Sequence, residues 1–274
     1  MRMASTSGIE QKDITIGIAM HKPYPVPHDN IYLPIHVGAA LRPDILQEIQ
    51  GDDSGDNIST LNPYFCELTA LYWLWKNNTS QYKGLVHYRR YFTTNNWLKR
   101  HSRNRFERVI KGSELTQTLL RRSVVLPKKR HYVIETIYSH YAHTMYAQHL
   151  DTTVEVLRDL APDYVDAWNV LMRKRSAHIF NMLIMDREHF DAYCEWLFPI
   201  LFELTSRLSP DQYDAFHARY PGRISEMLLN VWIMHNHIRF EELPTTFTER
   251  INWWKKGTGF LGAKFFKRKY TKSF

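Results

Sequence analysis

Two adjacent arginines close the apolar run Gly84-Leu85-Val86-His87-Tyr88-Arg89-Arg90-Tyr91-Phe92. Residues 83–88 read as a buried strand, so Arg89 and Arg90 stand at its carboxyl end, where open α/β sheets bind ligands. A guanidinium is costly to bury unless an anion meets it. That anion is either an internal carboxylate (Asp52, Asp53, Asp56 or Glu226) or a bound phosphate gripped by two parallel hydrogen bonds. Side chains alternate along a strand, so only one of the sets His87/Arg89 and Tyr88/Tyr91 faces a pocket.

Three other stretches carry chemistry. His21-Lys22-Pro23-Tyr24 follows a predicted strand over 14–20, again at a carboxyl end; the alternative is an ordinary exposed loop. The loop 51–60, GDDSGDNIST, pairs the flexible Gly51 and Gly55 with acceptors Asp53, Asp56 and Asn57 that suit sugar or ribose hydroxyls. Its spacing is not that of a calcium loop, and a plain capping loop is the alternative. Glu226 falls in the first turn of a predicted helix over 223–237, beside Arg223. It is either an acid favoured by the helix dipole or a general base for an acceptor hydroxyl. His140, His143 and His149 have no cysteine or acid partner at metal-ligand spacing, so no metal site is expected there. The chain contains no Asp-x-Asp.

The elements that must hold these groups are legible as patterns. The run 14–20, ITIGIAM, is short and β-branched. Asn62 is expected to cap a helix over 64–76, with Pro63 first in it; Leu68, Leu71, Tyr72 and Trp75 form its buried stripe. Strand, helix, strand in that order predicts a parallel sheet. A short strand over 123–127 leads into Lys128-Lys129-Arg130. Helices are predicted over 133–149, 151–160, 163–174 and 187–207, and a strand over 177–185 with Asn181 as a polar intrusion. Residues 97–108 are strongly basic and read as a solvated helix or loop. The expected class is α/β: a Rossmann-type, mostly parallel sheet flanked by helices, with a helix-rich C-terminal half.

Composition narrows the function. The 274 residues are 44% hydrophobic and 14% aromatic, which excludes a disordered chain. No run of 18 uncharged apolar residues predicts a membrane span. The N-terminus lacks an apolar signal core, so a cytoplasmic protein is expected. Cys66 and Cys194 read as buried thiols. The net charge of +8 is concentrated: 36 basic side chains face 28 acidic ones, and seven of the basic ones, with no acid, lie in residues 251–274. The near-neutral remainder argues against a nucleic-acid surface. In that tail Trp253, Trp254, Phe265, Phe266 and Tyr270 interleave with the cations, the pattern of a segment at an anionic membrane surface. The organisation is therefore a flexible lead over 1–12, a single domain over 13–250 and a membrane-associating tail.

These motifs resemble one family. His21-Lys22-Pro23-Tyr24, Gly51-Asp52 with Gly55-Asp56-Asn57-Ile58-Ser59, Cys66-Glu67-Leu68-Thr69-Ala70-Leu71-Tyr72-Trp73 and the run Gly84–Phe92 look like the glycosyltransferase-like family of bacterial capsular and exopolysaccharide synthesis loci. Asn181–Met185, Tyr193–Phe198 and Arg223–Glu226 are similar to it as well, so the likeness covers about 14–245. It implies a GT-A-like domain taking a nucleotide-sugar donor, UDP-linked by expectation, and a growing, lipid-linked glycan acceptor. The sugar implied is galactofuranose or another hexose, the product a capsular, exopolysaccharide or O-antigen glycan. The place implied is the inner face of the bacterial plasma membrane. On this reading His21, Lys22 and Tyr24 border the nucleotide, and Asp53, Gly55, Asp56 and Asn57 hold ribose or sugar. His87, Tyr88, Arg89 and Arg90 meet the diphosphate, Asn181 and Arg223 line the site, and Glu226 is the base of an inverting displacement. GT-A enzymes usually carry Asp-x-Asp where this chain has His87-Tyr88-Arg89-Arg90, so an arginine is expected to replace the manganese or magnesium ion, whose involvement is left open. The competing reading is a non-catalytic, membrane-associated protein that binds a sugar nucleotide or acts as a scaffold.

Overall fold

Alternation sets the centre of the sheet. In β1 (Ile14–Met20), Ile14, Ile16, Ile18 and Met20 all point into one core layer, while Ala19 belongs to the layer on the other face. The computed structural model describes residues 13–249; the expected lead over 1–12 and tail over 251–274 lie outside the described residues.

The remaining strands are β2 (Tyr32–His36), β3 (Gln50–Gly51), β4 (Tyr82–His87), β5 (Arg90–Phe92), β6 (Val124–Pro127), β7 (Arg130–His131), β8 (Ser176–Ala177), β9 (Leu183–Asp186), β10 (Glu241–Leu243) and β11 (Thr245–Phe247). The main sheet runs β10-β6-β9-β4-β1-β2-β3, with β5 and β11 paired beside β4 and β7–β8 forming a separate ribbon. Pairs β1–β2, β1–β4, β2–β3 and β6–β10 are parallel, whereas β9 is antiparallel to both β4 and β6. The helices are α1 (Asn62–Phe65), α2 (Leu68–Asn77), α3 (Trp97–Arg100), α4 (Gly112–Leu119), α5 (Ile137–Thr144), α6 (Ala147–Leu160), α7 (Val165–Arg173), α8 (Arg187–Arg207) and α9 (Tyr220–His235). This is the expected α/β class, a mostly parallel sheet flanked by helices with a helix-rich second half.

One core layer gathers α2, α6, α7, α8 and α9 against the sheet; the other collects Val109, Ile110, Leu115 and Leu119 under the opposite face. Helix α2 lies very close to β1: a Cβ at Gly17 would stand 2.8 Å from both Leu74 Cδ1 and Ile35 Cδ1. Both atoms are the ends of flexible side chains, which would have to shift to admit a larger residue.

Five expected elements are corrected. The helix predicted over 64–76 is broken at Cys66, whose backbone stands at φ 52° and ψ −127°. Asn62 is not its cap but the first residue of α1, and its Nδ2 donates to Cys66 O across the break. The helix predicted over 133–149 starts at Ile137, and α6 begins at Ala147 after a break at Met145. The strand predicted over 177–185 is interrupted: β8 ends at Ala177 and a loop follows until Leu183, because Phe180 and Asn181 take positive φ and reverse the chain. Helix α9 starts at Tyr220, so Glu226 is in its second turn and does not cap the helix. Strand β4 ends at His87 and turns back through Tyr88 and Arg89 into antiparallel β5.

Candidate functional site

Strands β1, β2 and β4 are mutually parallel and end along one edge, releasing His21, Val37 and His87 there. Past β2 the chain turns at Gly38, with φ 74°, and buried Asp52 accepts hydrogen bonds from Gly38 N and Ala39 N at 2.9 and 3.1 Å. The Ser59 hydroxyl donates to the same carboxylate. Asp52 is thereby spent inside the fold, holding the wall of a cavity.

That cavity, of about 580 Å³, is lined by His21, His36, Arg42, Asn62 and Tyr64, among others. A second, of about 440 Å³, is lined by Arg90, Arg130, Tyr132, His140, Arg223 and Glu226, among others. Cys66, Glu67, His87, Arg89 and Arg219 line both, so the two form one cleft with a shared waist. The break at Cys66 makes this possible, since it carries Cys66 and Glu67 out of the helix line and into the waist.

Six guanidinium groups face the cleft: Arg42, Arg89, Arg90, Arg130, Arg219 and Arg223. Arg89 lies 3.5 Å from Glu249. Arg90 stacks 3.5 Å from the Phe180 ring centre and 4.9 Å from that of Phe247, and its buried Nε has no hydrogen-bond partner among the described residues. Burial lowers its pKa to about 10, against the pull of Glu226 and Glu67, so it remains a cation at neutral pH. Arg223 stacks 4.4 Å from the Phe216 ring centre.

Burial, then Arg90 and Arg89, push the His87 pKa down to about 3, so the ring is neutral. Its Nδ1 accepts the Arg89 backbone N–H at 3.3 Å, which leaves the proton on Nε2 as a donor. The His21 pKa is also lowered, by burial and then by Arg89. Glu226 goes the other way, to about 7: burial and the charge of Glu67 raise it, while Arg90, Arg223 and the Phe180 N–H hold it down. The Cys66 thiol is raised to about 12 by burial and is no nucleophile at neutral pH. Buried Asn181 organises the floor, donating to Glu67 Oε1 at 2.9 Å and Gly222 O at 2.8 Å and accepting from Ser225 Oγ at 2.8 Å.

Of the residues expected at the site, His21, His87, Arg89, Arg90, Arg223 and Glu226 meet in the cleft, and Asn181 supports it. Lys22, Tyr24 and Tyr88 line neither cavity. Tyr88 is buried in the core on the other side of the hairpin, Tyr24 packs 5.1 Å from its ring, and Lys22 lies 5.6 Å from the same ring. Alternation along the hairpin thus gives the cleft to His87 and Arg89. Asp53, Gly55, Asp56 and Asn57 are outside the cleft too. Their loop folds over the end of α2, with Asn57 Nδ2 donating to Asp53 O and Gly55 O, and Asp56 accepting from Tyr72 OH at 3.1 Å. Sequence reasoning assigned no role to Glu67, Arg42, Arg130 or Arg219. Glu67 sat inside a recognised motif; the arginines lay in short stretches without a pattern to single them out.

A divalent metal does not fit the waist. The groups at the end of β4 are guanidiniums and a histidine with Nδ1 already engaged, and among the described residues no three His, Cys, Asp or Glu side chains gather as ligands.

Sheet order, helix layers and a cleft at the parallel-strand edge define the class as a GT-A-like α/β domain. One solved structure shares it: the WbbM bifunctional glycosyltransferase in its apo form, with a TM-score of 0.79 and 28% identity over 86% of this chain. The chain spans 45% of that protein's length. Residues 15–237 match the family described as "Domain of unknown function (DUF4422)", and the chain belongs to that family. No curated protein matches it.

Proposed function

We propose that this protein is a glycosyltransferase moving a hexose, galactofuranose being one candidate, from a nucleotide-diphosphate sugar, UDP-linked, to a growing capsular, exopolysaccharide or O-antigen glycan. The observation that carries the reading is the two-chambered cleft, with arginines at its waist and a carboxyl of pKa about 7 in the second chamber. The likeness to WbbM supports the reaction class.

The nucleotide would occupy the first chamber, beside His21 and Arg42. The diphosphate would lie at the waist, against Arg89, Arg219 and the His87 Nε2–H, with Arg90 behind. Glu226 would take the proton of the acceptor hydroxyl in the second chamber. The freed oxygen would attack the anomeric carbon from the face opposite the nucleotide. The bond from that carbon to the diphosphate breaks as the new one forms, and the leaving oxygen keeps the electron pair that the arginines stabilise. One displacement gives inversion. The tail over 251–274 would hold the enzyme at the inner face of the plasma membrane beside a lipid-linked acceptor.

Calorimetric titration of UDP in EDTA, and then with manganese, tests this on the wild type and on Arg89→Ala/Arg90→Ala. The expected result is binding in EDTA that the double substitution abolishes. Binding only with manganese would overturn the arginine-held diphosphate. Absence of binding in both conditions would overturn UDP as the nucleotide.

A further inference from the structure

The second chamber opens beside a loop with an unusual surface. Lys128, Lys129 and Arg130 follow β6 and are all exposed, and none forms an ion pair with a described acid. Two residues past β7, Val133 and Ile134 are 84% and 71% exposed. They stand directly beyond a cationic triplet, and among the described residues only Trp97 and Leu98 form another neighbouring pair of large apolar side chains this open to water.

The loop is not loose chain. Lys128 N donates to Leu243 O, Tyr132 N to Arg175 O and Ile137 N to Lys174 O, at 2.9, 2.7 and 2.8 Å, while β7 pairs with β8. Its backbone is therefore fixed with Val133 and Ile134 projecting. Glu135, in the same loop, bonds His140 Nδ1 and His143 Nδ1 at 2.8 and 2.7 Å, and Glu242 lies 3.6 Å from His178 Nε2. Arg130, Tyr132, Ile137 and His140 line the second chamber, so this surface is the rim of that chamber.

We infer that residues 128–134 are a membrane-docking rim, in which Lys128 and Lys129 meet anionic lipid headgroups and Val133 and Ile134 enter the acyl boundary. Cations beside a short apolar projection fit that surface and not a neutral glycan in water. Docked this way, the second chamber opens at headgroup level, where a sugar carried on a membrane lipid would enter directly. The role of the chamber rests on the transfer reading above, whereas the docking does not. The rim is distinct in sequence from the tail over 251–274.

Sedimentation with phosphatidylcholine vesicles, with and without phosphatidylglycerol, tests this on the full chain and on the variants V133S/I134S and K128S/K129S. All four side chains are solvent-facing, so the fold should persist, and UDP binding equal to wild type checks it independently. K128S/K129S should bind phosphatidylglycerol vesicles about tenfold or more weakly than wild type, since each lysine at an anionic surface contributes about 1 kcal/mol, and V133S/I134S should weaken the binding by a similar factor through lost apolar burial. Wild-type vesicle affinity in either variant overturns the docking rim. So does a loss confined to a single-stranded RNA oligonucleotide, which would give the lysines to nucleic acid. Failure of UDP binding in every form would overturn UDP as the nucleotide and leave the vesicle result standing.

Discussion

Glu226 concentrates the chemistry of the cleft in one carboxyl. With its pKa near 7, a large share is ionised at neutral pH, and the ionised form is basic enough to take a proton from a sugar hydroxyl in the transition state. Glu226→Gln should lower kcat by about 10²- to 10⁴-fold while leaving UDP affinity near wild type. Turnover at the wild-type rate would remove Glu226 from the role. The wild-type rate should also rise with pH through about 7. The same shift affects stability. Between the ordinary carboxyl value of 4.5 and about 7, the folded protein keeps a proton that the unfolded chain has released. Stability from this group therefore falls as pH rises through that window, and the full deficit is present above it. Glu226→Gln should be more stable than wild type at pH 8, by up to about 3 kcal/mol, and the difference should shrink toward pH 4. Thermal unfolding at the two pH values measures it.

At the scale of elements, the cleft depends on two interruptions. The break at Cys66 turns Glu67 toward the waist, and the positive-φ pair Phe180 and Asn181 turns the chain just before β9. Asn181 ties them together, because its amide bonds Glu67 on one side and Gly222 and Ser225 of α9 on the other. Asn181→Ala would leave three polar groups short of a partner and place alanine at φ 51°. The expected loss is about 1–3 kcal/mol in urea denaturation, with weaker transfer because Glu67 and α9 lose their mutual register. Stability and kinetics both at wild-type level would show that the cleft does not need this tie. Asn181 read from the sequence as an oddity in an apolar strand; the strand was wrong, and the polar side chain marked where it failed.

At the scale of the whole molecule, charge is divided between a cationic cleft, a cationic rim and a cationic tail. Among the described residues no helix is long and apolar enough to cross a membrane. Removing residues 251–274 should weaken binding to phosphatidylglycerol vesicles and leave UDP affinity unchanged. Adding V133S/I134S to that truncation should weaken it further. Binding by the truncated chain at full strength would show that the tail is not an anchor.

Local pattern was enough to read β1, β4 and α8, whose periods of two and 3.6 are written in consecutive residues, and to place Arg89 and Arg90 at a sheet edge. It was also enough to see that two neighbouring guanidiniums need an anion. It could not decide which acids meet them. Asp52, Asp53 and Asp56 stand in one short loop with the same composition, yet Asp52 is buried under Gly38 and the other two lie outside the cleft. Nor could it join Arg42, Arg130 and Arg219 to one cleft, since they come from three distant stretches of chain, one of them strand β7, that meet only in the packed structure. Periodicity is a property of neighbouring residues; convergence on a site is a property of the packed layers, and the layers decided which charges face one another.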